Sequence, residues 1–336
     1  MSAREENILM AHGSGGIATH RLVKDLFLPL LQNPVIEALD DAASLEIEGR
    51  RLFFTTDSFV VTPLVFPGGD IGKLSVCGTI NDLAVCGAEP LYLSCSLIME
   101  EGLSMAVLRK VMESLARTAL DAGVPVVTGD TKVVEKGHAD GLFITTSGIG
   151  IKRGHQPTGA IEAGDAVIIS GTLGDHGVAV LSAREDLALE SPITSDCAPL
   201  HRMTAGLLSG CEGVRFMRDP TRGGLATTAN ELVEGMHFGI KFRESAIPIK
   251  ASVEAVCDLL GFDPLYLANE GKILVIIDSA EAQKALEALQ SFPEGKDAAV
   301  IGEVTADHPG RVVIETAIGG TRILDMLAGE QLPRIC

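Results

Sequence analysis

Apolar and polar positions alternate through SLEIEGRRLFFTTDSFVV on both sides of Glu48-Gly49-Arg50, the pattern of two strands joined by a tight turn. The next stretch, GDIGKLSVCGTINDLAVCGAEP, is apolar almost all round and predicts a mostly buried helix stopped by Gly87 and Pro90. LYLSCSLIM predicts a strand. SMAVLRKVMESLARTALDAG has the spacing of an amphipathic helix, with Ser104 as its cap and Gly123 as its stop. VPVVTG predicts a strand that runs into GDTK, and LFITTSGIGI a further strand. Ahead of all these, the Gly-rich AHGSGG precedes a helical pattern, IATHRLVKDLFLPLL, with Thr19 near its start.

From about Gly154 the chain becomes turn-rich (RGHQPTGAIEAGD), which marks a domain boundary. The strand AVIISG, the turn TLGDHG and the helix VAVLSARED open the second half. MRDPTRGGLATTANELVEG predicts a loop before a helix. KILVIID, AAVIGEV and RVVIET predict strands, and EAQKALEALQSF a helix. Both halves are of α/β (α+β) class, with domains at 1–153 and 154–326. DMLAGEQLPRIC has no strong period, so residues 327–336 read as a flexible tail.

Hydrophobic residues make up 46% of the 336, enough for two ordinary cores, but only 4% are aromatic and none is Trp, so those cores are aliphatic. The net charge of −18 disfavours nucleic acid and anionic membranes as partners. No apolar run has the length of a transmembrane helix and MSAREENILM lacks a signal-peptide pattern, which predicts a soluble, cytoplasmic protein. The seven cysteines are widely spaced with no paired CxxC, and Cys77, Cys86 and Cys95 fall in apolar sequence, so buried reduced thiols are expected there.

Three aspartates close apolar runs in the first half: Asp57 in FFTTDSF, Asp82 in TINDLAVCGAEP and Asp130 in VVTGDTK. Each alone reads as a cap or turn residue. Together they suit Mg²⁺, which takes hard oxygen ligands and is often completed by phosphates. AHGSGG, TGDT and TRGG are loops whose backbone NH groups could cradle phosphate, although neither a Walker A loop nor a GxGxxG occurs. The chain ends on Cys336, a position where a thiol cannot help a core and is open to oxidation.

Asp57, NDLAVCGAEP, GDT and DPTRGG, in this order, resemble the superfamily of aminoimidazole ribonucleotide synthetase, selenophosphate synthetase and thiamine monophosphate kinase. Within it, AHGSGG, VFPGGDIGKL, VTGDTKVV, SGTLGDHG, ANEGK, GKDAAVIGEV and the terminal PRIC resemble the hydrogenase maturation proteins of the HypE family, the carbamoyl dehydratases. The likeness runs over nearly the whole chain, and PRIC is its most specific piece. It implies a two-domain aminoimidazole ribonucleotide synthetase-like fold, with an N-terminal half that binds ATP and dimerises and a C-terminal α/β half.

It also implies a reaction. The terminal thiol, here Cys336, receives a carbamoyl group from the carbamoyltransferase HypF. ATP drives its dehydration to a thiocyanate, and the cyano group passes to a HypC–HypD complex for the iron of [NiFe]-hydrogenase. Ten residues, 327–336, would reach roughly 33 Å at about 3.3 Å each, far enough to carry the thiol between partners. Arg334 favours the thiolate and the neighbouring α-carboxylate opposes it.

By resemblance, Asp57, Asp82 and Asp130 would bind Mg²⁺–ATP, and His12, Gly13, Gly15, Gly16 and Lys73 would contact phosphates. Lys132 and Glu270 would handle protons at the carbamoyl group, or else be a surface cation and a loop charge. His176, Asp219 and Arg222 are turn residues or part of the cleft. Two other functions fit the motifs: an ATP-dependent small-molecule kinase or synthetase, in which Cys336 is dispensable, and a carrier that holds a modified thiol without turning over ATP. AHGSGG has no Cys, which counts against selenium chemistry.

Overall fold

The structure, a computed structural model, describes residues 7–152, 154, 156, 157, 159–184, 192–327 and 334–336. Two sheets organise it. The first contains β1 (Ala43–Ile47), β2 (Arg50–Phe59), β5 (Ala88–Glu100), β6 (Val126–Val134) and β7 (Leu142–Lys152), in the order β1-β2-β7-β5-β6; β3 (Val65–Phe66) and β4 (Gly69–Asp70) form a separate short hairpin. Glu48 and Gly49 both take positive φ at the turn between β1 and β2, as the alternation around Gly49 predicts. All first-sheet pairs are antiparallel except β5 with β6, which need a crossover, supplied by the helix Met105–Ala122. Ser104 caps that helix through Ala106 N, and Gly123 ends it at φ 77. The buried helix Ile71–Val85 lies on the inner face of the sheet, capped by Asp70, which accepts from Gly72 N (2.8 Å) and Lys73 N (3.0 Å).

β6 differs from the sequence reading. It runs on through GDTK instead of turning there, because β5 extends to Glu100 and pairs with it as far as Val134. Gly129 permits the approach: a Cβ there would lie 2.1 Å from the Cys95 carbonyl oxygen.

The second sheet contains β8 (Ala166–Ile169), β9 (Val214–Arg218), β10 (Gly239–Arg243), β11 (Leu274–Ile277), β12 (Ala299–Thr305), β13 (Val312–Glu315) and β14 (Thr321–Ile323), in the order β14-β13-β10-β12-β8-β11-β9. β8 and β11 are buried along their whole length, as uninterrupted apolar runs covered on both faces should be. The helix Gly224–Val233 belongs to the core on one side, and His201–Gly210 with Ala282–Gln290 to the core on the other. Against the expectation that a terminal thiol cannot help a core, the first half's core takes in two residues from the far end of the chain, Ile335 and Cys336, because that end packs back against it. All seven cysteines are free, with Cys77 and Cys95 buried and Cys86 half-buried. No helix among the described residues is long and apolar enough to cross a membrane.

Candidate active site

Two cavities meet at the end of the chain. One, of about 210 Å³, is lined by Asp41, Asp57, Asp82, Asp219 and Glu270 together with Thr55, Thr221 and Arg222. The other, of about 310 Å³, is largely apolar, with Ile8, Leu9, Met10, Val60, Ala268 and Leu327 in its wall. Cys336 and Arg222 line both.

The acidic cavity is built by period and by glycine. Side chains alternate along β2, so Asp57 faces the same way as the buried Phe53, Thr55 and Phe59, towards the helix Ile71–Val85. Gly78 lets that helix come close, since a Cβ there would lie 2.9 Å from the Phe59 ring and 3.5 Å from Asp57 Oδ2. Asp82 is one turn further along the same helix face, and its Oδ2 accepts a 2.8 Å hydrogen bond from Thr55 Oγ1. The second half supplies the opposite wall. Asp219 and Arg222 stand between β9 and the helix Gly224–Val233, in a turn where Gly223 and Gly224 both have positive φ. Asn269 Nδ2 donates to the Pro220 carbonyl (3.0 Å), tying the turn to the loop that presents Glu270. Glu270 N donates to Asp196 Oδ1 (3.1 Å), and a Cβ at Gly271 would fall 1.9 Å from the Asp196 carbonyl oxygen, so the loop closes only on glycine.

Crowded carboxylates disturb one another. Burial, then the charges of Asp219, Asp41 and Asp57, hold the Asp82 carboxyl well above its usual range. Asp219 is pushed up to about 8 by burial and by Asp41. Burial raises Asp57, against the pull of Arg222. Glu270 is buried, its Oε1 has no hydrogen-bond partner, and burial together with Cys197, Asp219 and Asp57 raises its pKa well above normal. Burial also raises the Cys336 thiol; Arg222 opposes this, and Glu270 and Asp57 add to it. A divalent cation answers this electrostatic problem, because it neutralises several oxygens at once. Among the described residues no three acidic, His or Cys side chains stand at ligand spacing.

The sequence reading left the end of the tail mobile; the structure docks it. Residues 328–333, including Pro333 of the PRIC motif, lie outside the described residues. Val60 N donates to an oxygen of the Cys336 α-carboxylate (3.3 Å) and Thr62 N to the Arg334 carbonyl (3.1 Å), an antiparallel pairing along the segment that follows β2. His176 Nε2 bonds to the Ile335 carbonyl at 2.8 Å. Arg334 pairs with Asp140, so the cation beside the thiol is Arg222 and not Arg334 as the sequence suggests.

The structure brings Asp57, Asp82, Glu270 and Cys336 together and leaves Asp130 and Lys132 elsewhere. Asp57 pairs with Thr146, Thr146 with Cys95 and Cys95 with Gly129, so Asp130 falls on the opposite face of the sheet from Asp57. Both Asp130 and Lys132 are exposed there and pair with each other at 2.6 Å. Within one chain, Asp130 is therefore not a third ligand beside Asp57 and Asp82. The glycine loop packs instead of lining the acidic cavity: Arg222 donates to the Gly13 carbonyl, Gly15 abuts Arg222, and a Cβ at Gly16 would lie 2.4 Å from the Leu327 carbonyl oxygen. His12 Nδ1 accepts from Leu9 N (2.9 Å), and Lys73 Nζ donates to the Gly68 carbonyl (3.0 Å). Asp41 and Thr55 gave no motif signal; Asp219 and Arg222 did, inside DPTRGG, but the motif alone could not separate turn from cleft.

The two halves that wall the acidic cavity are those of the AIR synthase related proteins, whose N-terminal domain matches residues 39–152 and whose C-terminal domain matches residues 162–315. The chain is 51% identical to carbamoyl dehydratase HypE of Rhodobacter capsulatus, with 100% of each covered. It superposes on the crystal structure of a HypE–HypF complex with a TM-score of 0.85 at 47% identity, over 91% of this chain and 99% of that one. On HypE in complex with ATP the TM-score is 0.81 at 47% identity, over 98% and 100%. The chain belongs to the HypE family of carbamoyl dehydratases. Membership makes it an enzyme, and the small-molecule kinase is not the favoured alternative.

Proposed function

We propose that this chain uses ATP to dehydrate a carbamoyl group carried on its own Cys336, giving a thiocyanate whose cyano group goes to the iron of a [NiFe]-hydrogenase. The observation that carries this reading is the entry of Cys336 into the cavity lined by Asp57, Asp82, Asp219 and Glu270. The balance is R–S–CO–NH₂ + ATP → R–S–CN + ADP + phosphate. An amide oxygen leaves poorly. Transfer of the γ-phosphoryl group to it makes phosphate the leaving group, and loss of the two N–H protons forms the nitrile.

Glu270 is the base on this reading. Burial raises its pKa, which makes it a stronger base than a surface carboxylate, and it stands beside the thiol that carries the substrate. Arg222, whose pKa is raised chiefly by Cys336, orients charge at the same point. Asp57 and Asp82, together with phosphate oxygens, would hold Mg²⁺, which supplies neutralisation of the ATP phosphates. His12, Gly13, Gly15, Gly16 and Lys73 remain the candidate phosphate contacts; Lys73 would have to release Gly68 to serve.

The chain's carbamoyl donor is HypF and its cyano acceptor a HypC–HypD complex. It works in the cytoplasm as a homodimer. The outer face of the first sheet supports the dimer: Phe54, Ile149 and Tyr92 lie in register across β2, β7 and β5 and are 43%, 43% and 49% exposed. Asp130 and Lys132 share that face, so any part they take in the reaction is across the interface with a second copy.

The intact mass of the protein incubated with HypF, carbamoyl phosphate and ATP tests the proposal. A carbamoyl adduct on Cys336 that loses water only when ATP is present is expected. A carbamoyl adduct that persists with ATP would overturn it in favour of a carrier.

A further inference from the structure

The His176 ring has a fully determined environment. It is buried in the first turn of the helix Asp175–Ser182, edge-on to Phe66 at 5.4 Å between ring centroids. Its Nε2 meets the Ile335 carbonyl at 2.8 Å, and a carbonyl only accepts, so Nε2 carries the proton. Nδ1 lies 2.8 Å from Ser195 Oγ, which also accepts from Cys197 N at 3.1 Å. The neutral ring therefore accepts from the Ser195 hydroxyl and donates to the tail. Burial favours this neutral form.

The acceptor is the peptide carbonyl immediately before Cys336. A donor that binds backbone there does not read the side chain of residue 335; it fixes the register of the tail. With Nε2 on the Ile335 carbonyl, the thiol one residue further on is set beside Glu270 and Arg222. A slip of one residue would turn a different side chain into the acidic cavity. The bonds from Val60 N and Thr62 N hold the same register through backbone, and the His176 ring adds a side-chain donor to them.

We propose that His176 is a positioning residue: its Nε2–H clamps the Ile335 carbonyl and so holds the carbamoylated thiol of Cys336 in the dehydration site. The assignment rests on the dehydratase reading. It gives the clamp opposite effects on the two steps, because dehydration needs the tail docked and transfer from HypF needs the thiol free.

The full-length protein is tested with His176→Ala, which removes the donor, and His176→Gln, whose side-chain amide restores one. Three quantities are read: alkylation of Cys336 by a small thiol reagent, mapped on the C-terminal peptide; carbamoylation by HypF; and single-turnover conversion of the carbamoyl adduct with ATP. A lost buried hydrogen bond predicts that His176→Ala alkylates about tenfold faster, dehydrates about tenfold slower and is carbamoylated at least as fast as the wild type, with His176→Gln closer to wild type in all three. Unchanged alkylation and dehydration in His176→Ala overturn the clamp, as does an equal fall in carbamoylation and dehydration. If His176→Ala does not fold, Ser195→Ala carries the test. It keeps the ring and removes the hydroxyl that orients it, and the same pattern, about threefold in size, is expected; no change overturns the proposal. The alkylation arm needs neither HypF nor ATP, so a wild-type protein that never forms a thiocyanate would sink the function and leave the clamp to be judged on alkylation alone.

Discussion

Asp57 and Asp130 stand on opposite faces of one sheet, on strands β2 and β6 with β7 and β5 between them. Three strand spacings of about 4.8 Å separate them across the sheet, besides its thickness. Asp57 and Asp82 share one cavity; Asp130 faces out and pairs with Lys132.

Asp57→Asn and Asp82→Asn should each weaken Mg²⁺–ATP binding by tenfold or more, because each removes a hard anionic oxygen. Asp130→Asn, on the other face, should change the affinity of dilute, monomeric protein less than threefold. Calorimetric titration reads all three variants. Equal losses in all of them would mean that Asp130 reaches the nucleotide within one chain, against the register of the sheet.

Glu270→Gln keeps the volume and removes the base. Single-turnover dehydration should slow by about 10² to 10⁴, the usual contribution of a positioned base, while ATP affinity stays within about threefold. Normal chemistry with weakened ATP binding would move Glu270 to the nucleotide site.

Cys336→Ala should abolish carbamoyl and cyano adducts and leave nucleotide binding intact. Two residues added after Cys336 keep the thiol but must share a cavity of about 210 Å³ in which that side chain is already buried. Dehydration should fall at least tenfold in the extended protein. Mass spectrometry of the C-terminal peptide distinguishes the adducts, and full conversion of the extended protein would show that the thiol reacts outside this cavity.

Asp219 binds its proton with a pKa of about 8 in the fold, against about 3.9 in an unfolded chain. Between these values the folded state holds more protons than the unfolded state. Its contribution to stability is therefore full below about pH 4 and is lost as pH rises through 8. The metal-free protein should lose Tm by several degrees from pH 6 to pH 8.5. Asp219→Asn should flatten that slope and raise Tm at pH 8.5, and millimolar Mg²⁺ with ATP should offset the loss in the wild type. Thermal unfolding across pH measures it; an unchanged slope in Asp219→Asn would assign the effect to Asp82 or Glu270.

Ile149→Glu places a charge in the middle of the exposed Phe54–Ile149–Tyr92 row. Light scattering should then report a monomer with the circular dichroism of the wild type. A variant that keeps the mass of a dimer would place the contact between copies elsewhere.

Local pattern carried most of the elements. The turn at Gly49, the Ser104 cap and the Gly123 stop are decided within a few residues, so their sequence and structure agree. The length of β6 was not legible, because a strand ends where its neighbour ends, and β5 continues past GDTK. Glu270 and Cys336 were legible as neighbours at the carbamoyl group only through the resemblance carried by ANEGK and the terminal PRIC, not from any local pattern. Asp41 carried no signal at all, since the Asp40–Asp41 pair in LDDAAS looks like any turn. Its part in the cavity comes from Arg218, 3.1 Å away and 177 residues on.

The sequence by itself determined the two α/β halves, the carboxylate-bearing motifs and the thiol at the end of the chain. These follow from short-range periods and residue types. Only the tertiary structure decided which aspartates share a cavity, that Arg222 and not Arg334 faces the thiol, and that a buried histidine holds the final peptide. Those facts depend on which face of a sheet a residue occupies and on contacts made across more than a hundred residues, and such pairings leave no mark in a local pattern.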